Sequence, residues 1–165
     1  MLDLDRKKIY IISGIVFVIL LIFLYPKLFA TKEVKVYFSD QQAEYLVAEK
    51  YKVKANGLYN NVINRLIAGP NSQKLGVTIP EKTELIGTKI KGRTIFVDFN
   101  QALQKNHWGG SAGEMITVYS IVNTLAAFDG IDKVQILIEG KRVETLVGHL
   151  ELDKPLSFNE NLIND

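Results

Sequence analysis

Gly109-Gly110-Ser111-Ala112-Gly113 fits the G-x-S-x-G pattern of a nucleophile elbow. Asp129 or Asp132, and then His149, follow it in the chain order of an α/β-hydrolase triad. In that chemistry the serine hydroxyl attacks an acyl carbonyl while the histidine takes its proton. The elbow requires its serine on a sharp turn directly after a strand, and here the preceding strand pattern ends near Phe99, about ten residues earlier. The chain is also short for the parallel sheet of that fold. Ser111-Ala112-Gly113-Glu114 has a simpler reading as a capping box, in which hydroxyl and carboxylate satisfy free N–H groups at a helix start. A Ser hydrolase built on Ser111 and His149 is therefore the third-ranked function, and the expectation is that the protein is not an enzyme.

The loop Asn106-His107-Trp108-Gly109-Gly110 carries the only tryptophan. Facing solvent, Trp108 with His107 is a candidate anchor for a cell-wall glycan or polymer; folded back, it is a core residue. Sequence leaves both open. Neither His107 nor His149 has a partner at ligand spacing, so no metal site and no cofactor are expected. Asp98 alternates outward on its strand, no paired carboxylates for acid–base work can be assigned, and no phosphate-cradling glycine loop follows a strand. Lys50, Lys52 and Lys54, and then Lys89, Lys91 and Arg93, form two basic stretches. On strands such residues mark an exposed face or a protected sheet edge. Lys89, Lys91 and Arg93 are the candidate interaction surface, with attraction to anionic wall polymers or lipid headgroups as the minor alternative.

The chain that must position these groups has 165 residues, 47% of them hydrophobic and 23% charged, which is room for one ordinary domain. The absence of cysteine excludes disulfides, thiolate metal sites and an N-terminal lipidated cysteine. A net charge of +2 gives no electrostatic footprint for nucleic acid. Ile9 to Tyr25 is an uncharged apolar run preceded by Arg6, Lys7 and Lys8. As a helix it spans roughly 25 Å against about 30 Å of hydrocarbon, with Leu28 and Phe29 to extend it and Tyr10 and Tyr25 as interfacial aromatics. The expectation is an uncleaved signal anchor: a cytoplasmic N-terminus over 1–8, a single transmembrane span over 9–25, a tether over 26–32 and an extracytoplasmic domain over 33–165. Beyond residue 26 the 17 basic and 16 acidic residues leave a net +1.

In that domain Val34, Val36 and Phe38 alternate as a half-buried strand, and Tyr45 to Val53 reads as a second. Leu58, Val62, Ile63, Leu66 and Ile67 fall at helical spacing, stopped by Gly69-Pro70. Thr83–Ile90 and Thr94–Phe99 flank a turn as a hairpin. Met115, Val118, Tyr119, Val122, Leu125 and Ala126 define one face of a longer helix ending at Asp129-Gly130. Val134, Ile136 and Ile138 alternate again, Val143–Val147 follows as a strand after a turn, and the tail from Leu150 packs on the sheet edge. With the strand near Tyr45 set aside, the order is β-α-β-β-α-β, a split α+β sandwich with two helices on one face of a mixed sheet.

Leu66-Ile67-Ala68-Gly69-Pro70, Ile79-Pro80-Glu81-Lys82-Thr83-Glu84-Leu85 and Thr94-Ile95-Phe96-Val97-Asp98-Phe99, followed by Val122 to Phe128 and Val134 to Gly140, resemble in order and spacing the GerMN domain family. The likeness runs from about Glu33 to Leu156. It implies a non-catalytic module of the bacterial envelope, similar to the ring-building motifs of secretion systems, acting in sporulation, spore germination or envelope organisation. Envelope or sporulation proteins, including further copies of the chain itself, are the implied partners. The family's namesake has two such domains and a lipidated cysteine, whereas this chain has one and no cysteine. The resemblance makes Gly69, Pro70 and Pro80 structural, setting turns.

Overall fold

Among the described residues, β-branched and aromatic side chains at alternate positions set five strands, and two runs of helical period set the helices between them. The computed structural model describes residues 2–164, with side-chain surroundings for 6–20, 22 and 30–164. Helix α1 (Leu2–Phe29) precedes β1 (Thr31–Ser39), β2 (Leu46–Lys54), α2 (Leu58–Ile67), β3 (Leu85–Lys91), β4 (Thr94–Phe99), a single turn α3 (Ala102–Lys105), α4 (Ser111–Ala126) and β5 (Lys133–Ile138). A 3₁₀ turn at Glu160–Leu162 lies in the tail.

The strands form two sheets. β1 and β2 pair antiparallel from Thr31↔Lys54 to Ser39↔Leu46. The second sheet has the order β3-β4-β5, antiparallel between β3 and β4 and parallel between β4 and β5. Ile95, Val97 and Phe99 stand beside Val134, Ile136 and Ile138 on its inner face, and all six are buried. Helix α2 touches β1, β2 and β3, while α4 touches β1 and β5, so each helix contacts both sheets. One cluster unites Val36 and Phe38 of β1, Ile63 and Leu66 of α2, Val97 and Phe99 of β4, Ile121 and Leu125 of α4 and Ile136 of β5. Each such side chain contributes roughly 1.5–3 kcal/mol on burial, and no disulfide adds to this core. Helix α2 ends as expected: Gly69 sits at φ +80°, and its N–H donates to the Leu66 carbonyl at 3.0 Å.

Several expectations are corrected. Among the described residues no helix is long and apolar enough to cross a membrane, so the transmembrane span and signal anchor expected over 9–25 are not supported. The uncharged run has 17 residues, short of the hydrocarbon thickness, and Pro26-Lys27 interrupts its extension. The side chains of Tyr25, Leu28 and Phe29, expected to extend or anchor it, lie outside the described residues. From Arg6 to Leu20 the side chains of α1 are exposed. The single mixed sheet becomes two, because the strand near Tyr45 is β2 and pairs with β1 along its whole length. Val143–Val147 is not a strand: its backbone turns toward a carboxylate of α4 instead of a neighbouring strand. The capping box is absent. Gly110 is the N-cap, makes no side-chain cap bond, and leaves Ser111 as the first helical residue.

Candidate functional site

The expected interaction lysines lie on the outer face of the three-stranded sheet. The pairing Gly87↔Asp98, Lys89↔Phe96 and Lys91↔Thr94 places these side chains on the face opposite the core. Leu137 joins them through its parallel pairing with Asp98. Together Ile86, Gly87, Lys89, Lys91, Phe96 and Leu137 line a hollow of about 410 Å³. Gly87 makes the opening: a Cβ there would meet no atom within 4 Å. Ile86, at a bulge in β3, is 57% exposed at the rim. Asp98 also lines the hollow, and its Oδ1 accepts the Gly140 N–H at 2.8 Å. Lys89 and Lys91 are exposed and make no ion pair among the described residues. Arg93 is different. Its guanidinium forks onto Asp132, Nη2 donating to Oδ1 at 2.6 Å, and ties the β3–β4 turn to the segment before β5. That hydrogen-bonded pair raises the Arg93 pKa and lowers that of Asp132.

Trp108 does not join the core. It is 55% exposed, with its ring edge over Gly113 of α4, where a Cβ would stand 3.0 Å from the indole nitrogen. Its other neighbour is His107, with ring centroids 5.3 Å apart. Val77, Ile79, Glu81, Lys82, Asn106 and Trp108 line a second hollow of about 520 Å³. His107 points away from it. Its Nδ1 accepts the Gly109 N–H at 3.0 Å, and its Nε2 lies 3.1 Å from the Thr117 hydroxyl, which itself donates to the Thr78 carbonyl. With the hydroxyl proton committed, Nε2 carries the ring proton and the imidazole is neutral. Sequence paired His107 with Trp108 as a binding couple; the structure gives the histidine to the loop's own folding.

Burial is the chief cause that lowers the His107 pKa, partly offset by the Glu114 carboxylate and a Gly113 backbone bond. A histidine depressed in the folded state favours the unfolded chain once that chain protonates. Its contribution is complete above the unfolded pKa of about 6.5 and is lost as pH falls from there toward the folded value. Stability measured by urea unfolding is therefore expected to decline below about pH 6.5, and His107→Gln to flatten that part of the profile. An unchanged slope in the variant would contradict the assignment.

The hydrolase constellation is not assembled. Ser111 opens α4 and Asp129 lies beyond its far end, with the helix's 16 residues spanning about 24 Å between them. Asp132 is engaged by Arg93, and the hollow at Ser111 is lined by Ala43, Glu44, Ala112, Met115, Ile116 and Leu162, without His149. Among the described residues no three His, Asp or Glu side chains are grouped to hold a metal.

Glu114 is the residue that motif reading misplaced. It is fully buried; Oε1 accepts the N–H groups of Leu146 and Val147 at 2.7 and 3.0 Å, and Oε2 that of His149 at 2.8 Å. The other buried polar side chains of α4 do similar work. Thr124 accepts the Tyr37 N–H of β1 at 3.0 Å, and Asn123 exchanges two bonds with the Asn159 backbone. The expected apolar face therefore describes only part of α4, which is buried almost all round, while Met115 of that face is exposed. Gly113 beneath Trp108 and the polar residues at 114, 117, 120, 123 and 124 were the available signal, since an ordinary surface helix would not have both of its faces covered.

The profile of the Germane family, described as sporulation and spore germination, matches residues 35–144. No curated protein matches the chain in sequence. Among solved structures, the first GerMN domain of the sporulation protein GerM from Bacillus subtilis is 24% identical, with a TM-score of 0.66 over 77% of this chain and 98% of that one. The tandem GerMN domains of the same protein are 23% identical at TM-score 0.66, covering 78% of this chain and 46% of theirs. A Clostridium perfringens protein named as a lipoprotein is 26% identical at TM-score 0.56, covering 77% of this chain and 87% of that one.

Proposed function

The chain belongs to the Germane family of sporulation and spore germination domains, and from that membership we propose that it is a non-catalytic interaction module of the bacterial cell envelope, docking other envelope or sporulation proteins outside the cytoplasm. The observation that carries this reading is the apolar hollow on the outer face of β3-β4-β5, where exposed Ile86 and half-buried Phe96 and Leu137 stand beside two lysines that make no ion pair among the described residues. An uncovered apolar patch with a polar rim is the usual mark of a protein contact surface. A structural neighbour named as a lipoprotein supports the envelope part of this reading. The GerMN family is not a known enzyme family, which supports the non-catalytic part of the reading.

Trp108 supports a second reading, a wall glycan or polymer ligand held in the hollow beside it. An exposed indole flanked by Glu81, Lys82 and Asn106 offers a stacking face with hydrogen-bonding groups around it.

A photo-crosslinking residue placed in cells at Ile86, with a second at Trp108 and a control at Asn64 on the exposed side of α2, separates the two. Protein adducts of defined mass from Ile86 alone are expected. Adducts on wall material from Trp108, with none from Ile86, would overturn the interaction reading in favour of the ligand-binding one.

A further inference from the structure

β3 is an edge strand, and its outer edge pairs with nothing among the described residues. The two-residue turn Gly92-Arg93, with Gly92 at φ +61°, makes Lys91–Thr94 the closing pair of the hairpin. Antiparallel pairing alternates, so Lys91 and Lys89 exchange backbone bonds with β4 while Ile90 and Thr88 direct their N–H and C=O groups outward. No backbone bond from β3 runs to any loop on that side. An unpaired edge is a template for a further strand.

We infer that this edge docks an extended acidic segment of another protein, added as a fourth strand beside β3. The inference rests on the interaction reading above and names the partner's chemistry. Charge selects the occupant. Lys89 and Lys91 stand on one face, exposed and without carboxylate partners among the described residues, whereas Arg93 is already neutralised by Asp132 and Asp98 is held by Gly140. A strand carrying two carboxylates two residues apart matches the two lysines. A second copy of β3 does not, because it would bring its own Lys89 and Lys91 against them, and like charges across a ladder repel.

Gly87 selects the third position. Two residues before Lys89 on the same face, it leaves open space between the strand edge and Phe96, with Leu137 beyond Asp98. An apolar side chain of the added strand crosses that gap into the hollow of about 410 Å³. The recognised pattern is thus apolar–x–acid–x–acid, in either chain direction. Main-chain bonds supply affinity and the alternate side chains supply specificity, as in other strand-addition complexes.

The test uses synthetic peptides of about seven residues with Leu, Glu and Glu at alternate positions, in both directions, titrated into the isotope-labelled full chain and followed by amide NMR. Saturable shifts centred on Thr88 and Ile90 are expected, and none from a peptide with Lys in place of Glu. Ile90→Pro removes an outward N–H without removing a bond to β4, and is expected to abolish binding. Should that variant fold poorly, Lys89→Glu with Lys91→Glu is expected to weaken binding roughly tenfold or more. No shifts at millimolar peptide, or shifts indifferent to both changes, would overturn strand addition. So would concentration-dependent changes at β3 without peptide, which would identify a second copy as the occupant. Protein adducts at Ile86 with no peptide binding would sink this inference alone; loss of both would remove the interaction reading as well.

Discussion

Replacing Glu114 with Ala is expected to lower the unfolding free energy by roughly 3–5 kcal/mol, the largest effect of any polar substitution in this chain. The carboxylate is fully buried and accepts three backbone N–H groups from Leu146, Val147 and His149. Bonds to a charged acceptor are each worth about 1.5–3 kcal/mol, and truncation leaves three donors without a partner where two of the donors are at least partly shielded from water. Glu114→Gln separates charge from shape. The amide oxygen serves Leu146 and Val147, but the –NH₂ then faces the His149 N–H, donor against donor. An intermediate loss of roughly 1–3 kcal/mol is expected. Urea unfolding at constant m-value reads both. A loss below about 1 kcal/mol for the alanine variant would show that the 143–149 segment is held by Leu146 in the core and not by the anion.

Asn123→Ala is expected to cost roughly 2–3 kcal/mol. Its side chain is fully buried; Nδ2 donates to the Asn159 carbonyl at 3.0 Å and Oδ1 accepts the Asn159 N–H at 2.9 Å. This two-way clasp fastens the tail to α4 and holds Phe158 edge-on against Tyr37 of β1, ring centroids 5.8 Å apart. The loss should therefore be local as well as global: faster amide exchange from about Leu156 to Ile163, with β3, β4 and β5 protected as before. Asn123→Asp keeps the acceptor and loses the donor, setting a carboxylate against the Asn159 carbonyl, and is expected to be at least as damaging. Unchanged exchange in the tail of the alanine variant would mean that the Tyr37–Phe158 contact and the backbone bonds of Leu156 to Val134 and of Asn164 to Leu46 retain it without the clasp.

Both predictions concern residues whose meaning was hidden in the sequence. Ser111 and Glu114 have the spacing of a capping box, yet Gly110 takes the cap position and the carboxylate turns inward to a loop more than thirty residues away in sequence. Local spacing describes what a side chain can reach within its own turn. It is silent about a distant loop whose backbone has no strand to pair with. The same holds for the sheet. Alternation in Val34–Phe38 and in Tyr45–Val53 marked both strands, but whether they join β4 or each other depends on long-range pairing that periodicity does not encode.

The sequence by itself determined the alternating strands, the extent of α2 with its Gly69 stop, the α4 run, the hairpin around Gly92 and the family to which the order of these pieces belongs. Those features arise from dihedral preference and from 2.0- and 3.6-residue periods, all readable within a few residues. Only the tertiary structure decided that β1 and β2 form their own sheet, that Glu114 and Asn123 hold loops, that Arg93 is spent on Asp132, and that Trp108 stays outside the core. It also placed Lys89 and Lys91 beside the Gly87 gap on an open edge. Each of these is a choice of partner among groups far apart in the chain, settled by which arrangement leaves the fewest buried polar groups unpaired and the least apolar surface in water.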